Sequence, residues 1–108
     1  MPQIIVKGMN EEQCCTLAKT AAPQLAQICE CPSDWFVFDL VPSIFFTENG
    51  ATPHYPVVQV WWFERPLEVQ DKVAECLHSL IGEMGFCDDQ ISFHLFAGRD
   101  YYENGESF

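Results

Sequence analysis

Positive charge is what this chain has least of. Lys7, Lys19, Arg65, Lys72 and Arg99 are its only cations, and they stand against sixteen acidic residues for a formal net charge of −11. Nucleic acid and anionic membrane surfaces repel such a chain, so neither is expected as a partner. An anionic ligand would need one of those five side chains beside it, which makes each of them informative. Long apolar runs are lacking too: none approaches the ~20 residues needed to cross a bilayer. The N-terminus also lacks the basic and then apolar layout of a signal peptide. The chain therefore reads as soluble and cytoplasmic, where thiols stay reduced.

Metal-binding spacings are missing as well. The six cysteines are Cys14, Cys15, Cys29, Cys31, Cys76 and Cys87. Cys29-Glu30-Cys31 does not have the spacer of a zinc knuckle, and adjacent Cys14 and Cys15 point to different sides of a helix. They read as small buried hydrophobes, and no metal or other cofactor is expected.

What the chain does have is apolar and aromatic surface. Its 108 residues suit a single domain, residues 1–108, with an ordinary 48% apolar content. Three Trp, nine Phe and three Tyr exceed what one small core needs, which favours an oligomer. Residues 3–7 read as a strand. Asn10 then caps a helix over 11–29, with Gln13 placed to complete a capping box and Pro23 to bend it. Trp35 to Val41 is the second strand, Ile44-Phe45-Phe46 a short edge strand among turns, and Pro56 to Phe63 the third main strand. That third strand is nearly continuous in apolar residues, as in a strand covered on both faces. Pro66 opens a second helix, Gly85 stops it, and residues 90–96 form the last main strand before a polar, aromatic tail at 97–108.

The order is β-α-β twice, in units of roughly 1–42 and 55–96. At an offset of 55 residues, Ala18, Ala21, Ala22 and Leu25 fall on Val73, Cys76, Leu77 and Leu80, and Phe36, Phe38 and Leu40 fall on Ile91, Phe93 and Leu95. Repetition of a unit implies repetition of its structure. Two architectures share this order: a ferredoxin-like fold, and a pair of pseudo-symmetric units whose sheets line the inside of a trimer. The negative charge, and a third strand without polar alternation after Gln59, argue against an RNA-binding version of the first.

Pro2 is the residue with the most chemistry to offer. It follows Met1 and heads the apolar run Ile4-Ile5-Val6. Methionine aminopeptidase removes a Met that precedes Pro, which would leave a free prolyl amine. Burial destabilises the charged form of an amine and pulls an α-amino pKa down from ~8, towards the working pH of a general base. The plain alternative is that Pro simply tolerates the first position of a strand.

Pro2 at the head of strand one, the doubled β-α-β unit and the length together resemble the tautomerase superfamily, which includes oxalocrotonate tautomerase and macrophage migration inhibitory factor. The similarity extends over nearly the whole chain in element order. It is clearest in Met1-Pro2-Gln3-Ile4-Ile5-Val6, in Val41-Pro42 after strand two, and in Asp89-Gln90-Ile91-Ser92-Phe93-His94 in the last strand. Within the superfamily it looks most like a small bacterial group of tautomerase-like proteins of unknown function.

The resemblance implies an α/β (α+β) fold: a four-stranded sheet with two helices on one face, assembled as a homotrimer. It also implies a cofactor-independent tautomerase or isomerase acting on a small anionic keto or enol acid, with Pro2 as the base. Arg65, just before the second helix, would hold the substrate carboxylate through paired donors. His94 and Ser92 would supply polar contacts from the last strand, with His94 donating to the developing enolate oxygen. Trp61 or Trp62 would form the apolar wall.

Two departures stand out. The first helix begins Asn10-Glu11-Glu12, without the basic residue of oxalocrotonate tautomerase, and Cys31 stands where the inhibitory factor has a lysine. Arg65 would then serve alone or with Lys7. Each of these residues also has a plainer role: Arg65 as a surface partner of Glu64 or Glu68, His94 as a core or interface histidine, the tryptophans as packing. Asp39 is a polar residue in an apolar strand, a position from which it would face the pocket. Tyr101, Tyr102 and Glu103 would either close over a neighbouring subunit's site or pack a trimer edge. The alternative function is a non-catalytic trimer that binds a small molecule or a protein on the same scaffold.

Overall fold

Alternation of apolar residues along the strands, and their helical spacing in two longer segments, decide how this chain packs. The computed structural model describes residues 2–107, so the expected loss of Met1 lies outside the described residues. β1 (Gln3–Lys7) leads into α1 (Glu11–Cys29), and the chain returns through a 3-10 turn at Ser33–Trp35 to β2 (Val37–Leu40). β3 (Phe45–Thr47) and β4 (Gly50–Thr52) make a separate hairpin rather than an edge of the main sheet. β5 (Val57–Trp62), α2 (Leu67–Glu83) and β6 (Gln90–Leu95) repeat the first pattern. A 3-10 turn at Gly98–Asp100 and a small hairpin, β7 (Tyr102–Glu103) with β8 (Glu106–Ser107), end the chain.

The main sheet has four strands in the order β2-β1-β5-β6. β1 and β2 are parallel, β5 and β6 are parallel, and the two pairs join through an antiparallel β1–β5 contact. Val37 pairs with Gln3 and Gln90 with Val57, so each second strand starts opposite the residue that follows a buried proline. The sequence match set Val37 against Ser92 instead. The slip is even, so it leaves every side chain on its expected face.

One face of the sheet carries Ile4, Val6, Val58, Val60 and Trp62, all buried against Leu17, Ala21 and Leu25 of α1 and Val73, Leu77 and Ile81 of α2. Each such side chain contributes about 1.5–3 kcal/mol by leaving water. The result is a mixed α+β fold with two helices and a four-stranded sheet. By alternation, Gln3, Ile5, Val57, Gln59, Trp61, Ser92 and His94 face the other way. β5 was expected to be covered on both faces; within one chain only its helix-side residues are fully buried.

Local signals explain the helix ends. The Gln13 amide donates to Asn10 Oδ1 at 2.8 Å and the Asn10 amide to Gln13 Oε1 at 2.9 Å, a complete capping box. α1 stops at Glu30, whose left-handed backbone (φ 54°) closes the helix. Between these ends the helix is continuous through Pro23. With dimensions of 45 × 27 × 25 Å the molecule is elongated, and Phe46 of β3 and the preceding Ile44 are about 70% exposed.

The cysteines only partly fit the expected buried role: Cys14 is buried, Cys29, Cys31 and Cys76 are half-buried, and Cys15 and Cys87 are exposed. Burial pushes the Cys14 thiol up, with the nearby Cys15 and Asp39 adding to it. Burial also raises Cys29, against partial relief from Arg65, and raises Cys76. Limited alkylation at pH 8, read by peptide mass mapping, should therefore modify Cys15 and Cys87 first and Cys14 at least ~10-fold more slowly. Equal labelling of Cys14 and Cys15 would contradict the packing of α1. Among the described residues, no group of three or more His, Cys, Asp or Glu side chains is placed to hold a metal ion, and no helix is long and apolar enough to cross a membrane.

Candidate functional site

Pro2 is fully buried at the head of β1 and forms part of the wall of a cavity of about 400 Å³. The parallel register sets Gln3 beside Val37 and Ile5 beside Asp39, so these four share one sheet face and line the cavity together. Phe38 contributes between them, and the 3-10 turn before β2 places Trp35, 40% exposed, at the same cavity. The remaining wall comes from the tail. Because β1 and β5 are antiparallel, with Gln3 opposite Trp61, β5 and β6 end where β1 begins. The chain leaving β6 there brings Tyr101 and Glu103 to the cavity. Tyr101 is held by ring contacts with Phe63 and with Phe96, each 5.0 Å between centroids.

The chemistry of this wall is distinctive. Its charged side chains are the carboxylates of Asp39 and Glu103, and none of the five cations lines it. Gln3 and the Tyr101 phenol are its neutral hydrogen-bonding groups.

Arg65 lies elsewhere. Its guanidinium sits 5.1 Å over the ring of Trp62, a cation–π contact, and it lines a separate depression with Glu64, Pro66, Leu67, Gln70 and Leu95. Arg65 Nε and Trp62 Nε1 are buried donors without a hydrogen-bond partner. Among the described residues Arg65 pairs with neither Glu64 nor Glu68, and His78 Nδ1 lies 2.6 Å from Asp89 Oδ2.

Ser92, His94 and Trp61 form a third group, across β5 and β6. Ser92 Oγ is 2.9 Å from His94 Nε2, the His94 ring stacks on Trp61 at 4.3 Å, and Trp61 Nε1 donates to Gln59 Oε1 at 3.2 Å. Trp62, 1% exposed, belongs to the helix-side core. Within one chain, then, none of Arg65, Ser92, His94, Trp61 and Trp62 lines the Pro2 cavity. The aromatic residues at the cavity are Trp35, Phe38 and Tyr101, and of these the sequence pointed only to Tyr101 as a site residue. Asp39 does face the pocket, as its place in an apolar strand suggested.

The family described as Domain of unknown function (DUF1904) matches residues 1–107. The crystal structure of a DUF1904 domain from Sebaldella termitidis is 31% identical, covers 100% of both chains and superimposes with a TM-score of 0.93. A macrophage migration inhibitory factor-like protein from Entamoeba histolytica is 12% identical over 99% of this chain and 98% of its own, with a TM-score of 0.75. A fused 4-OT, solved as an asymmetric trimer, is also 12% identical, over 97% of this chain and 94% of its own, with a TM-score of 0.78. At such identities the likeness is one of fold alone, the fold that the factor-like protein and the fused 4-OT share. No curated protein matches the chain significantly.

Proposed function

This chain belongs to the DUF1904 family, and we propose that it is a cofactor-independent tautomerase or isomerase. In this reading Pro2, freed by loss of Met1, moves a proton between the carbon and the oxygen of a small enolisable carbonyl compound. The observation that carries it is the position of Pro2: fully buried, at the head of β1, in the wall of a cavity large enough for a small substrate. The prolyl nitrogen takes the proton from the carbon next to the carbonyl. The electron pair of that C–H bond becomes the enolate, whose oxygen needs a donor; the Tyr101 phenol and the Gln3 amide line the same cavity.

A homotrimer that covers the open sheet face belongs to the same reading. It gives Arg65, Ser92, His94 and Trp61 a route to the chemistry, because residues remote from Pro2 in their own chain can complete a neighbour's cavity. A keto or enol acid would require this, since Arg65 can hold its carboxylate only from another subunit.

The test joins two measurements on natively expressed protein. Intact-mass analysis should show loss of Met1, and ketonisation of phenylenolpyruvate should be faster with the wild type than with Pro2→Ala. Retained Met1 would favour the other reading, a binding protein on the same scaffold in which Pro2 only heads a strand.

A further inference from the structure

The sequence offers Ser92 and His94 as two separate polar contacts for a substrate, yet on the open sheet face they meet each other. β5 and β6 are parallel, and their register sets Gln59 beside Ser92 and Trp61 beside His94. Trp61 in turn pairs with Gln3, which lines the Pro2 cavity, so these residues continue the sheet face on which the cavity lies. Two contacts fix the His94 imidazole. Its ring stacks on the Trp61 indole, with 4.3 Å between centroids and 16° between planes, and the indole is itself anchored by Nε1 donating to Gln59 Oε1 at 3.2 Å. Its Nε2 lies 2.9 Å from Ser92 Oγ. Among the described residues Nδ1 has no partner, and Ser92 Oγ has none besides His94.

We infer that Ser92 is a positioning residue for His94: its hydroxyl donates to Nε2, which holds the proton of the neutral ring on Nδ1 and makes Nδ1–H the donor offered to a ligand oxygen; this rests on the reading that places His94 at a neighbour's reaction site. A neutral imidazole carries one N–H, and the hydrogen bond at one nitrogen sets which of the two holds it. With the proton on Nε2 it would go to Ser92, and the lone pair of Nδ1 would face the developing enolate oxygen and repel it. With the proton on Nδ1 the ring accepts from Ser92 and donates to that oxygen without carrying a charge. Stacking on Trp61 covers the ring face and leaves both nitrogens open to bonds in the ring plane.

The position of the proton can be measured without any reaction, from the ¹⁵N shifts of the three histidine rings. At about pH 9 an imidazole is ordinarily neutral, and the His94 signals are identified by their loss in His94→Ala. In the wild type His94 should carry its proton on Nδ1. Ser92→Ala should move it to Nε2, the form a free histidine side chain prefers, and Ser92→Thr, which keeps a hydroxyl, should restore the wild-type pattern. A proton on Nε2 in the wild type, or the same tautomer in wild type and Ser92→Ala, would overturn the inference whatever the activity.

Kinetics of α-proton exchange separate positioning from direct contact. His94→Ala should lower kcat/KM by about 10²-fold, as loss of one donor to a developing oxyanion does. Ser92→Ala should lower it by about 3–10-fold, the worth of one neutral hydrogen bond, and should add no loss in the His94→Ala background. The same loss from Ser92→Ala in both backgrounds would mean that Ser92 touches the ligand itself and would overturn its positioning role, as would an undiminished rate in His94→Ala. Exchange that is the same in wild type and Pro2→Ala removes Pro2 as the base but leaves the tautomer and the Ser92–His94 coupling standing.

Discussion

A single extra residue ahead of Pro2 should lower kcat/KM for α-proton exchange by about 10²–10⁴-fold, the usual contribution of a positioned general base. The extension turns the prolyl nitrogen into an amide, whose lone pair is delocalised into the carbonyl and no longer takes up a proton. Pro2→Ala is the milder change. It keeps a terminal amine but replaces a rigid secondary one with a freer primary one, so its loss should be smaller than that of the extended chain. Circular dichroism and the thermal midpoint report whether either change disturbs the fold. Equal exchange rates in the wild type and the extended chain would mean that another group is the base.

The second large effect concerns the corner between β1 and α1. Gly8 has φ +83°, a conformation that costs side-chain-bearing residues roughly 1 kcal/mol or more. A Cβ there would lie 1.9 Å from the carbonyl oxygen of Tyr55 and 2.6 Å from its carbon. Both atoms are backbone, so no side-chain rotation relieves the contact, and the segment leading into β5 must move. Gly8→Ala should therefore destabilise the protein by more than ~3 kcal/mol, in the range reserved for strained or overpacked sites. For a domain of this size that corresponds to a fall in Tm of more than ~12 °C. Gly85→Ala is the control: it has φ +97° and open space around the added atom, so only the conformational cost of about 1 kcal/mol applies. Thermal unfolding of the two variants checks this, and similar midpoints for both would contradict the close approach of Gly8 to Tyr55.

The elements of the fold were legible because their signals are local. Asn10 with Gln13 marks a helix start, and Gly85 follows the second stripe. The doubled β-α-β order reflects two segments that each need to bury one face. Pro23 was read as lying inside α1, and the helix runs across it, because a proline removes one amide but does not compel a break. The β3–β4 hairpin was read as a sheet edge because three apolar residues do not say which strand they will join.

The site was legible only where it is local. Pro2 is at the end of a strand whichever way the sheet is assembled, and Asp39 was conspicuous as a charge in an apolar strand. Trp61 and Trp62 are adjacent, so one had to face the helices; pairing of Trp61 with Gln3 and His94 sends Trp62 to the core. Trp35 and Glu103 reach the Pro2 cavity through tertiary placement, a 3-10 turn in one case and a returning tail in the other. No spacing in the sequence encodes that meeting. Arg65 shows the converse: a residue at the expected place in the chain whose own-chain surroundings are Trp62 and a different depression.

Everything catalytic depends on the state of one nitrogen atom. In protein labelled with ¹⁵N-proline, internal prolines are tertiary amides and do not titrate, whereas a free Pro2 amine does. The expected result of an NMR titration is one proline nitrogen that titrates in the neutral to mildly basic range, and at lower pH in Asp39→Asn, because removing a nearby negative charge disfavours the ammonium form. A spectrum in which no proline nitrogen titrates between pH 5 and pH 10 would contradict Pro2 as the proton carrier.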